Sequence, residues 1–287
     1  MKTWSTPVQA GKSSLVPCVC GSLSFKNALD CEGFSYVSCK VCGLVQMNPQ
    51  PAMDEIIARY SSKYGNDYLA YELENENSFL KLQQLALEDA GFNKIEKILM
   101  QRAEEKPTVL DVGCATGSLL AFLREREWRV TGVEISPSAE YARNVRLLDV
   151  KSLPINENKF SNDYFDVVLA SHLIEHLNDP YLFLKETHRI LKDGGFIFIT
   201  TPNINGFQAR LFGSRWRSAI FDHLYLFSAS TLTTMLKNTG FNPEKIATWG
   251  GLAKGFAPLW LKKAVDFLAK RFGFGDVMIV RARKIGS

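Results

Sequence analysis

Apolar positions in this chain follow two periods, and the change between them falls near Pro107. Beyond it, short apolar and β-branched runs alternate with stretches whose apolar residues recur at helical spacing. Residues 108–111 form the first run, and Leu119, Leu120, Phe122 and Leu123 follow at helical spacing. A second run covers 129–134, after which Ser136 and Pro137 supply an N-cap and a first-turn proline for another helix. The pattern predicts a third strand over 145–150, a fourth over 165–170, a helix over 180–191 and a fifth strand over 196–201. A helix over 231–239 stopped by Gly240, a strand starting at Phe241 and a closing strand over 277–283 complete the series. Apolar strands separated by amphipathic helices predict a doubly wound α/β domain with a sheet buried on both faces. Ligands of such sheets bind outside the carboxyl ends of the strands.

Ahead of Pro107 the period is purely helical from about residue 53 to residue 101, through Ile56, Ile57, Phe79, Leu80, Leu87, Ile95 and Leu99. Tyr60, Tyr64, Tyr68 and Tyr71 recur there at helix-like spacing. They are read either as a stripe packed on the following domain or as a lid over a ligand. Residues 1–16 are a polar leader without periodicity. The division expected is a leader over 1–16, a cysteine-rich segment over 17–51, a helical lid or linker over 52–106, and the α/β domain over 107–287. An insertion at about 203–228 follows the fifth strand.

Composition adds few constraints. The chain has 287 residues, 46% hydrophobic, with a net charge of +4, which neither demands nor excludes a nucleic-acid partner. No apolar run reaches membrane-spanning length, and the N-terminus has no apolar signal core, so a cytoplasmic location is expected.

The cysteines change the picture more. Cys18, Cys20, Cys31, Cys39 and Cys42 crowd one short segment, while Cys114 stands alone. Without an export signal, such crowding favours a metal over disulfides. Cys18/Cys20 and Cys39/Cys42 form two glycine-followed knuckles flanking a β-like stretch, the pattern of a zinc ribbon with four thiolates around one Zn2+. The first knuckle has a one-residue gap, so either Cys18 or Cys31 completes the set. No histidine lies in the segment, which favours a structural ion over a catalytic one.

The remaining chemistry gathers at the predicted strand ends. Val109-Leu110-Asp111-Val112-Gly113-Cys114-Ala115-Thr116-Gly117 reads as strand, glycine turn and helix N-terminus. Its glycines permit close backbone approach to a ligand. Glu134 follows at the end of the second strand, where one carboxylate can accept from both hydroxyls of a ribose. Asp149, Ser171 and His172 lie near the ends of the third and fourth strands.

In this order, the Asp111–Gly117 turn, Glu134, Asp149, Phe165-Asp166-Val167-Val168, Glu175-His176-Leu177 and Leu191-Lys192-Asp193-Gly194-Gly195 resemble a class I S-adenosylmethionine-dependent methyltransferase. The resemblance covers roughly residues 105–245. With the ribbon and Thr201-Pro202-Asn203, it is similar to a bacterial branch tied to cell-surface polysaccharide or secondary-metabolite pathways. It implies a seven-stranded Rossmann-like sheet with an antiparallel last strand, a helical cover, and S-adenosylmethionine as cofactor. Asp111, Gly113, Cys114, Ala115 and Gly117 would lie beneath its methionine part. Glu134 would hold the ribose, Ile135 would pack the adenine, Asp149 and Val150 would flank it, and Ser171 would line the floor. His172 and His223 are the candidates for a base or an acceptor contact, whereas His176 is expected to orient a loop and His188 to be structural. Ala115 departs from the family, where glycine is commoner, and is expected to be tolerated with a negative φ.

The acceptor implied is an oxygen or nitrogen of a small molecule or sugar conjugate. Arg210, Arg215 and Arg217 are either solvated or grip an anionic group on it. Two other readings are an RNA base methyltransferase with the ribbon as RNA reader, and a non-catalytic cofactor-binding scaffold. The amphipathic, basic stretch 258–272 either docks on the domain or touches an anionic membrane surface.

Overall fold

The computed structural model describes residues 15–51, 63–102, 105–250, 265, 267, 269, 270 and 272–286. Tyr60 and most of the 258–272 stretch lie outside these residues. Among the described residues no helix is long and apolar enough to cross a membrane.

Seven strands form the main sheet: β4 (Thr108–Val112), β5 (Arg129–Val133), β6 (Val150–Lys151), β7 (Phe165–Ser171), β8 (Leu191–Pro202), β10 (Phe241–Trp249) and β11 (Val277–Lys284). Their spatial order is β10-β11-β8-β7-β4-β5-β6. β8, β7, β4, β5 and β6 run parallel, and β11 enters antiparallel between β8 and β10, as the sequence resemblance implied. The strand order reverses at β4, so β4 and its neighbour β7 open a crevice at their carboxyl ends. Val109, Leu110, Val167, Val168, Ile197 and Ile199 are wholly buried, which is why the central strands read as unbroken apolar runs.

Helices cover both faces: α1 (Lys63–Asp89), α2 (Phe92–Arg102), α3 (Ser118–Glu125), α4 (Ser138–Asn144), α5 (Pro180–Ile190), the short α6 (Phe207–Phe212) and α7 (Ala229–Asn238). α2 is anchored by Phe92, stacked on Trp128 at 5.5 Å, and by buried Glu96, which accepts from Trp128 Nε1 at 2.9 Å and pairs with Arg126. α5 starts at an Asp179 cap that accepts from the Leu182 amide, and α7 starts at a Ser228–Thr231 capping box.

The structure corrects the third strand. Residues 145–150 were expected to be extended, yet only Val150 and Lys151 pair with β5. Val145 is the C-cap of α4, and Leu147 sits at a φ of 55°, a left-handed turn that no strand continues through. That turn drives Leu148 inward instead, into a small core with Leu120, Ala142 and Val150.

The cysteine-rich segment shares a sheet with the insertion after β8. β1 (Phe25–Cys31), β2 (Phe34–Cys39) and β3 (Val45–Met47) form an antiparallel sheet whose fourth strand, β9 (Tyr225–Leu226), comes from the insertion after β8. One continuous apolar core runs from Cys18, Tyr36, Leu44 and Met47 through Trp216 and Phe227 to Val168 and Ile199. Tyr36, fully buried, donates its hydroxyl to the carbonyls of Ile220 at 2.8 Å and His223 at 2.7 Å. The ribbon thus holds the backbone of the insertion directly. Tyr36→Phe keeps the ring but takes the hydroxyl from the buried His223 carbonyl, while the Ile220 carbonyl keeps the His223 amide, and is expected to lower unfolding free energy by about 1–2 kcal/mol in urea titrations. An unchanged midpoint would show that the two segments are not coupled there.

Candidate active site

The turn after β4 is built from backbone constraints. Gly113 and Gly117 both take a φ of 77°, and the amides of Gly113 and Cys114 both donate to the Val133 carbonyl, at 2.8 and 3.1 Å. A Cβ on Gly117 would lie 2.5 Å from Leu148, so only glycine fits there. Ala115 takes a φ of 49°, not the negative value expected of it. A left-handed alanine costs about 1–2 kcal/mol. Its amide is held by Glu134, whose Oε2 accepts from Ala115 N at 3.0 Å while Oε1 accepts from Ser136 N at 2.8 Å. Hydrogen bonds to a carboxylate are worth about 1.5–3 kcal/mol, enough to offset that strain. Glu134 therefore shapes the turn, and a carboxylate has further lone pairs for a ribose diol.

Asp111 is buried at the end of β4 with Oδ1 unpartnered. Burial and then the nearby Glu134 charge push its carboxyl up to about 7. An orphaned buried acid beside a glycine turn fits a cationic ligand, and S-adenosylmethionine carries an ammonium and a sulfonium. Ile135 is exposed beside Glu134, as a surface for adenine requires. Two of the expected residues face the core with their side chains. Cys114 and Val150 point into the small core with Leu120 and Leu148, so they offer only backbone to this crevice. Asp149 stands just ahead of β6 and pairs with Lys151 at 2.8 Å. Ser171 closes β7, paired with Thr200.

Sequence reasoning missed the contacts that α1 makes. Tyr68 and Tyr71 on α1 are a little under half exposed, and two acids one turn apart on the same helix reach the neighbouring elements. Glu72, buried, accepts from Ser138 Oγ at 2.7 Å. Glu76 accepts from Thr116 Oγ1 at 3.0 Å and pairs with Arg146. α1 is thereby latched to the glycine turn and to the start of α4. Their i,i+4 spacing was visible, but acids on a helix are ordinarily solvated, and their partners lie 40 and 66 residues away. Burial first, then Glu134 and Glu76, push Glu72 up to about 7.

A second cluster lies beyond β7. His172 follows the strand at a φ of 52°, an uncommon conformation for a residue with a Cβ. It is half exposed, and its Nδ1 meets Glu175 Oε1 at 3.3 Å. Glu175 is fully buried and also accepts from Thr201 Oγ1 at 2.9 Å. Burial alone would raise its carboxyl, but the His172 hydrogen bond and the His172, His176 and His223 charges hold it down to about 2. His223 is buried, its Nδ1 2.8 Å from the Ser218 carbonyl, and its ring crosses that of His176 at 4.7 Å. Burial, then the His176 charge, push it down to about 4, so it is neutral at pH 7. His172 and His223 thus differ: the first faces solvent at the crevice, the second is enclosed. His188 packs against Phe241 and Gly240, away from both clusters. Arg210, Arg215 and Arg217 are all exposed.

The thiols of Cys18, Cys20, Cys39 and Cys42 lie within 4.8 Å of one another, with Cys18–Cys42 at 3.4 Å and Cys20–Cys39 at 3.6 Å. Tetrahedral Zn–S bonds of about 2.3 Å place sulfurs about 3.8 Å apart, so the set fits Zn2+. Cys31 is outside the set, its thiol 3.7 Å from the Ser214 carbonyl.

A sheet of this order with an acid-lined glycine turn at the switch point defines a class I S-adenosylmethionine-dependent methyltransferase. A family model described as a methyltransferase domain matches residues 82–246, more than half the chain, and the chain belongs to that family. A ubiquinone biosynthesis O-methyltransferase of Nitrosomonas europaea is 32% identical over 120 residues, covering 39% of this chain and 50% of that protein. One from Coxiella burnetii is 29% identical over 161 residues, covering 50% of this chain and 62% of that protein. The chain thus spans half to about three-fifths of these relatives. An S-adenosylmethionine-dependent methyltransferase of Thermotoga maritima shares the fold with a TM-score of 0.54 at 22% identity, covering 81% of this chain and 100% of that one. Another from Archaeoglobus fulgidus has a TM-score of 0.52 at 19% identity, covering 75% and 99%.

The raised acids have a pH consequence. Asp111 and Glu72 keep their protons to about pH 7 when folded but ionise near their ordinary values when unfolded. Between those limits the folded chain binds more protons, so their contribution to stability falls as pH rises. Glu72→Gln removes one such site. Its stability relative to wild type should climb from about pH 5 to about pH 7 in cofactor-free thermal melts; a flat difference would contradict the burial assigned to Glu72.

Proposed function

We propose that the protein transfers a methyl group from S-adenosylmethionine to a hydroxyl of a small molecule or sugar conjugate. The observation that carries this reading is the His172–Glu175 pair at the carboxyl end of β7, one strand from the glycine turn of β4. S-adenosylmethionine supplies an electrophilic methyl on sulfur, which needs positioning more than covalent help. Asp111, Glu134 and the turn backbone hold it, and the lid acids Glu72 and Glu76 close over its positive end. A hydroxyl acceptor must lose a proton as it attacks. Ionised Glu175 accepts from His172 Nδ1–H, which fixes the tautomer and leaves the Nε2 lone pair of the half-exposed ring for that proton. The names of the curated relatives support an oxygen acceptor, and the exposure of Arg210, Arg215 and Arg217 gives an anionic group no enclosed site. Cys18, Cys20, Cys39 and Cys42 hold a structural Zn2+ in this reading, with Tyr36 passing that rigidity to the insertion beside the site.

His172→Ala tests the assignment in a turnover assay with a panel of hydroxyl acceptors, read as demethylated cofactor formed. The expected result is a kcat about 100-fold or more lower with cofactor Kd unchanged, partly rescued by added imidazole. Full activity in the variant, or loss of cofactor binding with it, contradicts a base at this position.

A further inference from the structure

Glu175, His176 and His223 each direct one ligand-type atom into a common space, with those three atoms within 4.8 Å of one another. We propose that they form a second metal site, a two-histidine, one-carboxylate centre for a divalent first-row ion, distinct from the four cysteines. Three observations support it. The imidazoles are set for ligation: His176 Nδ1 lies 2.8 Å from the Asp222 carbonyl and His223 Nδ1 2.8 Å from the Ser218 carbonyl. A carbonyl only accepts, so each Nδ1 carries the proton and each Nε2 keeps the lone pair that a metal takes. Backbone carbonyls behind the far ring nitrogen are the usual support of metal-bound histidines.

The carboxylate is also suited. Glu175 is fully buried, and among the described ion pairs it meets only His172, which carries no fixed charge. Neutral histidines at pH 7 give that carboxylate no full positive charge, and a divalent ion would supply one. Thr201 and His172 take two of its roughly four lone-pair positions, leaving others for an ion. The geometry is within reach, since ligand atoms about 2.0–2.2 Å from a metal sit about 3–3.5 Å apart, a small side-chain adjustment from the present spacing.

Topology gives the site a purpose. Glu175 and His176 follow β7 of the cofactor domain, while His223 belongs to the segment that continues into β9 of the ribbon sheet. An ion there clamps the two halves together next to His172. The donor set of two imidazoles and a carboxylate suits Mn2+, Fe2+ or Zn2+, whereas the thiolate set favours Zn2+.

The test is Mn2+ titration of the full chain carrying one Zn2+ per molecule, the amount the four thiolates take, followed by electron paramagnetic resonance. Saturable binding of one Mn2+ per chain is expected, with imidazole nitrogen couplings in the spin-echo spectrum that shift on 15N-histidine labelling. His223→Gln and His176→Gln should each weaken Mn2+ about tenfold to a hundredfold or more. No binding, binding without nitrogen couplings, or equal affinity in folded variants would overturn the site. Should the variants fail to fold, the wild-type couplings decide. None of these readouts needs turnover, so a failed methyl-transfer assay leaves the metal question answerable.

Discussion

Glu134 makes two hydrogen bonds on which the cofactor crevice depends. By accepting from Ala115 N and Ser136 N it holds an alanine in a left-handed turn and joins the end of β5 to the loop after β4. The strain and its compensation are of similar size, so the turn keeps its shape only while the carboxylate is present. The residue that would bind the ribose is thus the residue that forms the seat.

Negative charge accumulates around that seat. Asp111 is sealed at the end of β4, Glu134 spans the turn, and Glu72 and Glu76 arrive from α1. Crowding and burial raise two of these acids, which marks an arrangement strained in the absence of a cation. A cofactor with two positive centres relieves it.

Much of this was legible in sequence because it rests on local rules. The alternation of strand and helix, the glycine turn, Glu134 and the two cysteine knuckles are each short in sequence and have distinctive periods or spacings. What escaped was set by tertiary contact. Residues 145–150 look like a strand by composition, yet the left-handed turn at Leu147 bends Leu148 into the core. Glu72 and Glu76 look solvated, and only their distant partners Ser138 and Thr116 give them work. β9 is two residues long and has no pattern of its own; β3 recruits it, and the cysteine-rich sheet takes in part of the segment after β8. Cys114 and Val150 lie on the right elements, but their side chains face the core.

The central claim is that the β4 turn, locked by Glu134, seats S-adenosylmethionine. Calorimetric titration of the cofactor into wild-type chain and Glu134→Ala tests it most directly. Saturable one-to-one binding in wild type, weakened about tenfold to a hundredfold in the variant, is the result predicted, since both the ribose contact and the turn are lost. Absent binding in wild type, or equal affinity in a folded variant, would contradict it.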